Sequence, residues 1–158
     1  AAPAAAQSGE PIKIGFGMAL TGPLAGFGKQ ALLGMKIWEE ETNAKGGLLG
    51  RPVKLVFYDD QSNPSTVPGI YTKLLDVDKV DLVLSGYATN MVAPAMPIVM
   101  QNERAFFGLL GLAVNSEFHY KRYFSMGPTG GPRPKESFAE GFFEVAAKQT
   151  PKPVTVAL

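Results

Sequence analysis

Two adjacent carboxylates, Asp59 and Asp60, close an apolar run and form the one acidic pair placed where chemistry could occur. General acid–base catalysis needs groups poised together in a cleft. Neighbouring residues at a strand end point to opposite faces, so the pair is expected to cap or tie a loop. His119 is the only histidine, set in His119-Tyr120-Lys121-Arg122 with no acid or nucleophile at a matching spacing. It reads as a surface or loop residue. Gly15-Phe16-Gly17 follows a strand-like run, but a dinucleotide fingerprint needs glycine at position 20, where this chain has Leu20. Residues 22–30 (GPLAGFGKQ) resemble a phosphate loop, yet five residues rather than four precede Gly28-Lys29, and Gln30 replaces the magnesium-binding Ser or Thr. A glycine-rich turn that brings a helix N-terminus close to a ligand survives both failures. No GxSxG elbow, HExxH pair or metal-ligand cluster is present. The sequence thus implies no catalytic residue, no metal and no cofactor. Phe27, Tyr87, Thr89 and Asn90 remain, residues that hold a ligand through rings, hydroxyl and amide without transforming it.

The elements that must position them follow from hydrophobic periodicity. Residues 12–19 (IKIGFGMA) read as a strand buried on both faces of a parallel sheet. Residues 26–44 carry Ala31, Leu32, Met35 and Trp38 at helical spacing, closed by Gly46-Gly47. A second strand is expected at 53–58, and a helix opened by Asn63-Pro64-Ser65 runs to about Val77. A third strand covers 81–86, a helix 90–102 and a fourth strand 105–110, with Pro97 awkward inside that helix. Four strand-then-helix units imply an α/β fold, a doubly wound parallel sheet with right-handed crossovers. Ligands sit outside the carboxyl ends of such strands. The loops to inspect are therefore 20–28, 59–64, 86–90 and 111–116.

Beyond Asn115 the pattern changes. A short strand is expected at 123–126, a Pro/Gly-dense break at 127–134, and an amphipathic helix at 135–148 with Phe138, Phe142, Val145 and Ala146 on one side. Residues 153–158 (PVTVAL) read as a buried-type strand, expected to pair with another copy or fray, so the fragment is open to self-association.

Composition narrows the class. A chain of 158 residues, 46% apolar and 18% charged, can complete one well-buried domain and little more. With 15 Lys and Arg against 14 Asp and Glu, the net charge of +1 gives no field for collecting nucleic acid or an anionic membrane, and neither is an expected partner. The absence of cysteine removes disulfides, thiolate metal sites and Cys nucleophiles together. No run approaches the ~20 apolar residues of a membrane span. Residues 1–8 are Ala/Pro-rich, without the basic and apolar regions of an intact signal peptide. They resemble the flexible leader left after signal removal, and equally a linker.

The stretch 12–28 (IKIGFGMALTGPLAGFG), the segment 43–50 (NAKGGLLG) with Pro52, the turn Asp59-Asp60-Gln61-Ser62-Asn63-Pro64, and Gly86 with Pro94 downstream resemble the leucine/isoleucine/valine-binding type of periplasmic binding protein. The resemblance runs from about residue 10 to the end. It implies two α/β lobes closing on a small solute, which is delivered to the membrane permease of an ABC transporter outside the cytoplasm. On this reading 1–9 is a leader, 10–128 the leading part of the first lobe, and 129–158 the crossover with the first helix and strand of an incomplete second lobe. The resemblance places ligand contacts in Gly86-Tyr87-Ala88-Thr89-Asn90, with the hydroxyl position on Thr89 or Asn90 according to a one-residue register difference, and sets Phe27 beside the ligand. It further implicates Gly111-Leu112-Ala113-Val114, where Val114 replaces a Thr that would accept from a ligand ammonium. Valine accepts no hydrogen bond, which favours a small carboxylate without an ammonium, such as an aromatic or 2-oxo acid, over a branched-chain amino acid. A ligand-sensing receptor ectodomain of the same fold and a nucleotide-dependent enzyme stand as the alternatives.

Overall fold

The computed structural model describes residues 9–127 and 137–155. The chain opens with β1 (Ile12–Met18), whose apolar residues are buried on both faces as a central parallel strand requires. After a turn, α1 (Ala25–Ala44) crosses to β2 (Val53–Asp59), which pairs with β1 in parallel from Ile12 opposite Val53 to Met18 opposite Asp59. Gly46 and Gly47 end α1 with positive φ, and their N–H groups return to the carbonyls of Asn43 and Thr42. β2 lies at the sheet edge, where outward N–H groups would otherwise be free. The side chains of α1 satisfy two of them, since Val53 N donates to Asn43 Oδ1 at 2.7 Å and Leu55 N to Glu39 Oε1 at 2.7 Å.

The second crossover is one helical run in three geometries: a 3-10 turn at Pro64–Thr66, α2 (Val67–Thr72) and a π segment at Lys73–Val77. Asn63 starts it by accepting from Ser65 N, as its place before Pro64 suggests. β3 (Leu82–Leu84) then pairs with the free side of β1. The third crossover begins one residue earlier than its sequence suggests, with α3 (Thr89–Val92), and passes through a 3-10 turn at Ala93–Ala95 into α4 (Met96–Gln101). Pro94 and Pro97 explain the break: each lacks the N–H that a continuous helix would use, and both sit in the first turns of their segments. β4 (Phe106–Gly108), α5 (Asn115–Phe118) and β5 (Tyr123–Ser125) complete the sheet.

The five parallel strands lie in the order β2-β1-β3-β4-β5, an α/β fold wound in both directions from β1. One face packs Val83 and Phe106 against Tyr71 and Leu74 of the second crossover and Met91, Met96 and Val99 of the third. The other packs Ile14, Phe16, Met18, Val53 and Leu55 against Leu32 of α1. A final helix, α6 (Ser137–Ala147), falls where one is expected, with Phe142 and Val145 exposed and Ala146 half-buried. The strand expected at 153–158 is not formed in its described part: Pro153, Val154 and Thr155 have no regular structure, and Val154 is 94% exposed. A strand needs a neighbour for its N–H and C=O groups, and no pairing reaches these residues. Residues 156–158, the proposed leader at 1–8 and most of the 127–134 break lie outside the described residues.

Candidate ligand-binding site

The order β2-β1-β3 means that the chain leaves β1 toward one side and returns on the other. The chain thus diverges at the carboxyl ends of β1 and β3, and in such sheets this divide is the usual position of a ligand crevice.

Asp59, at the end of β2, ties the loop after β1 to the loop after β2. Its Oδ1 accepts from the N–H groups of Leu20 at 2.9 Å, Thr21 at 3.1 Å and Gln61 at 2.8 Å, and its Oδ2 from the Thr21 hydroxyl at 2.7 Å. Burial alone would raise its pKa, but the Thr21 hydroxyl and these N–H groups outweigh burial and hold the carboxyl below its usual value. Ser62 adds a second tie, donating to Thr21 O at 2.7 Å and accepting from Leu24 N at 3.0 Å. Together they fix the start of α1. At Gly28 any side chain would collide, because its Cβ would stand 2.0 Å from the carbonyl oxygen of Ala19. The glycine-rich run thus presses the first turn of α1 onto the end of β1 and presents Phe27 at the crevice.

At this divide Phe27 and Tyr87 stack on each other with ring centroids 5.2 Å apart and planes 8° from parallel. Phe27 is 63% exposed, so the pair offers a flat aromatic surface rather than a sealed core contact. Behind Tyr87, Ala88 adopts φ 80° and ψ 148°, a conformation that residues with a Cβ rarely hold. Thr89 starts α3 exposed, and its Oγ1 accepts from Leu112 N at 2.9 Å. A hydroxyl that accepts in this way keeps its own proton for a ligand oxygen. Asn90 lies next to it, also exposed.

The loops after β3 and β4 are stitched together. Ser85 Oγ accepts from Leu109 N at 2.8 Å and donates to Gly86 O at 2.9 Å, and the Thr89–Leu112 bond closes the outer edge. Gly111 is buried, and a Cβ there would press on Val92 and Val114. Leu112 is exposed beside Thr89. Val114 turns its side chain into the core, 5% exposed, in the cluster that includes Val92 and Met96. What this loop can offer a ligand at that position is its backbone. The structure thus brings Phe27, Tyr87, Ala88, Thr89, Asn90, Gly111 and Leu112 to one sheet edge and places the Val114 side chain beneath it.

The acidic pair divides as its alternation requires, with Asp59 in the loop network and Asp60 buried below. His119 is exposed at the end of α5 with φ 50°, a capping position. Sequence reasoning did not single out Ser85, Thr21 or Ser62. Ser62 carried a local signal, since it follows Asp60 by two residues, the spacing of an Asx turn, and its N–H does donate to Asp60 Oδ1 at 2.9 Å. Thr21 and Ser85 act across loops distant in sequence and carried none.

A profile described as periplasmic binding protein matches residues 11–152. The chain belongs to the periplasmic binding protein family. The Leu/Ile/Val-binding protein homolog 2 of Brucella abortus (strain 2308) is 33% identical over 91 residues, 58% of this chain and 24% of that protein. A substrate-binding protein of a branched-chain amino acid transporter from Streptococcus pneumoniae, solved with isoleucine, superposes with a TM-score of 0.67 at 24% identity, over 73% of this chain and 33% of that one. A solute-binding protein of an ABC transporter from Rhodopseudomonas palustris BisB5, solved with 3,4-dihydroxybenzoic acid, gives 0.65 at 18% identity, over 73% and 31%. The chain thus spans about a quarter of the curated relative's length and a third of the solved ones. The parallel sheet of this chain is the fold of these solved proteins.

Proposed function

We propose that this chain forms one jaw of an extracytoplasmic solute receptor that serves the membrane permease of an ABC transporter, with a small carboxylate as its ligand. The observation that carries the reading is the Phe27–Tyr87 stack at the β1–β3 divide, with the Thr89 hydroxyl on the adjoining loop. A planar acid would lie against the rings while its carboxylate takes the Thr89 proton and exposed amide donors. In this reading residues from about 129 onward lead into the facing lobe, and the chain binds without catalysing.

The choice between an aromatic or 2-oxo acid and a branched-chain amino acid turns on the ammonium. Burying an ammonium without an acceptor costs several kcal/mol, on the order of 2 to 7 even for a neutral polar group. Asp59 spends both carboxyl oxygens on the loops, Asp60 is buried, and the Val114 side chain lies in the core. These placements favour the acid without an ammonium. The likeness to a Leu/Ile/Val-binding relative favours the amino acid.

Titrating the labelled chain with benzoate, a 2-oxo acid and leucine, followed by NMR, separates the two. Shifts confined to Phe27, Tyr87, Thr89 and Leu112 on adding benzoate or the 2-oxo acid are expected. Shifts there with leucine alone would reverse the ligand assignment, and shifts only at other surfaces would remove the site.

A further inference from the structure

Below the crevice lies a carboxyl group that the binding reading does not use. Asp60 is 1% exposed, at the junction of β1, β2 and β3. Its N–H donates to Met18 O at 3.1 Å and its Oδ1 accepts from Ser62 N at 2.9 Å. Its Oδ2 is buried with no hydrogen-bond partner. That oxygen faces Gly86, the first residue of the loop after Ser85, so closely that a Cβ on Gly86 would sit 3.3 Å from it and 2.9 Å from Gly17 O. The ion pairs among the described residues do not include Asp60.

We propose that Asp60 carries its proton in the folded lobe, and that its ionisation as the pH rises loosens the loop that presents Tyr87 and Thr89. The crevice is thereby linked to proton binding. An ionised carboxylate would need acceptor bonds at both oxygens or a cation beside it, and Oδ2 has neither. The titratable groups facing it add no positive charge. Asp59 adjoins it on β2, and Tyr71 reaches in from α2 with its hydroxyl donating to Leu84 O at 2.8 Å. β1 and the loop after β3 contribute glycines, Gly17 and Gly86. Asp59, rich in donors, takes the negative charge, and Asp60 beside it is left neutral. Burial, opposed in part by the Ser62 N–H and reinforced by the Asp59 charge, holds the Asp60 carboxyl above its usual value. Burial pushes the Tyr71 hydroxyl well up, so that it remains a neutral donor.

The sign follows from linkage. A group whose folded pKa is raised contributes stability that is fully present below its unfolded pKa and is lost as the pH rises through the folded value. Asn at position 60 keeps the shape and stays neutral. Two measurements test the proposal on the 158-residue chain. Carboxyl 13C NMR of aspartate-labelled protein, assigned with Asp59→Asn and Asp60→Asn, should show Asp60 titrating above Asp59 and above the ordinary aspartate range. Urea unfolding and amide exchange between about pH 4 and pH 8 should show Asp60→Asn gaining on the wild type as the pH rises, with slower exchange at Gly86, Tyr87 and Ala88 once intrinsic rates are removed. An Asp60 resonance that titrates with or below Asp59 overturns the proposal, as does an Asn-variant advantage independent of pH. If Asp60→Asn does not fold, the wild-type titration decides alone, with Asp59→Asn identifying the other resonance.

Discussion

On β4, Phe106 and Phe107 are neighbours in sequence and opposites in environment. Phe106 is fully buried between Tyr71 and Tyr123, with edge-on ring contacts at 5.7 and 5.9 Å. Phe107 is half-buried and stacks on Phe124, which is 51% exposed. The same split runs across the sheet. On Phe106's side the helical crossovers at 64–77 and 89–101 cover β3 and β4. On Phe107's side α1 covers β1 and β2, while Leu82 and Phe124 stay exposed. Strand alternation writes an apolar residue to both sides, but only a covering helix turns that pattern into burial. The sheet is therefore firmly held on one face and half open on the other, with the crevice loops straddling both.

The sharpest way to break this comparison is Phe106→Ala. Truncating a fully buried phenylalanine costs about 3 to 5 kcal/mol. Urea denaturation of this variant should show that loss, and Phe107→Ala, measured in parallel, should show less than half of it. Equal losses would mean that the two faces are equally closed.

Asp59→Asn comes next and carries the contrast to the loops. It weakens a carboxylate that accepts from three N–H groups and one hydroxyl, and hydrogen bonds to a charged group contribute about 1.5 to 3 kcal/mol. The effect also has a direction in pH. The folded carboxyl is held below its usual value, so its stabilisation is present above the unfolded aspartate pKa and lost as the pH falls through the folded one. The gap between wild type and Asp59→Asn should therefore close on acidification, opposite in sign to Asp60→Asn. A gap that widens in acid would show that the four donors are not bound to a carboxylate.

Ser85→Ala has a smaller expected effect. It removes the acceptor of Leu109 N and the donor to Gly86 O, each bond contributing about 1 kcal/mol. Because Ser85 is fully buried, the cost should appear both in urea unfolding and in faster amide exchange at Leu109. Unchanged exchange at Leu109 would show that the loops after β3 and β4 are held by other means.

The strands and the order of crossovers were legible because apolar runs and their breakers are local. Residues 12–19 forecast β1 to within a residue, and the turn at Asp59 to Pro64 forecast the crossover that follows. Phe27, Tyr87, Thr89 and Asn90 were singled out as a set by residue type and by their place after expected strands, and the structure brings them to one edge. The direction of Val114 was not, because whether a loop residue points up to a ligand or down to Val92 depends on the positive φ of Ala113 before it, which an alanine does not announce. Nor did residues 153–158 reveal that their described part would be exposed. β-type composition states that a segment suits a sheet, and pairing depends on a partner strand elsewhere.

The smallest effect belongs to Phe124→Ala. A half-exposed ring on an edge strand keeps much of its contact with water in the folded state, and such substitutions usually change stability by about 0.5 kcal/mol or less. Its value lies in what a larger number would mean. The stack on Phe107 contributes to both rings, so Phe124→Ala should also leave Phe107 more exposed, and the double variant should lose less than the sum of the two singles. If Phe124→Ala instead costs as much as Phe106→Ala, some surface covers Phe124 in solution, and the contrast between a closed and an open face of the sheet disappears.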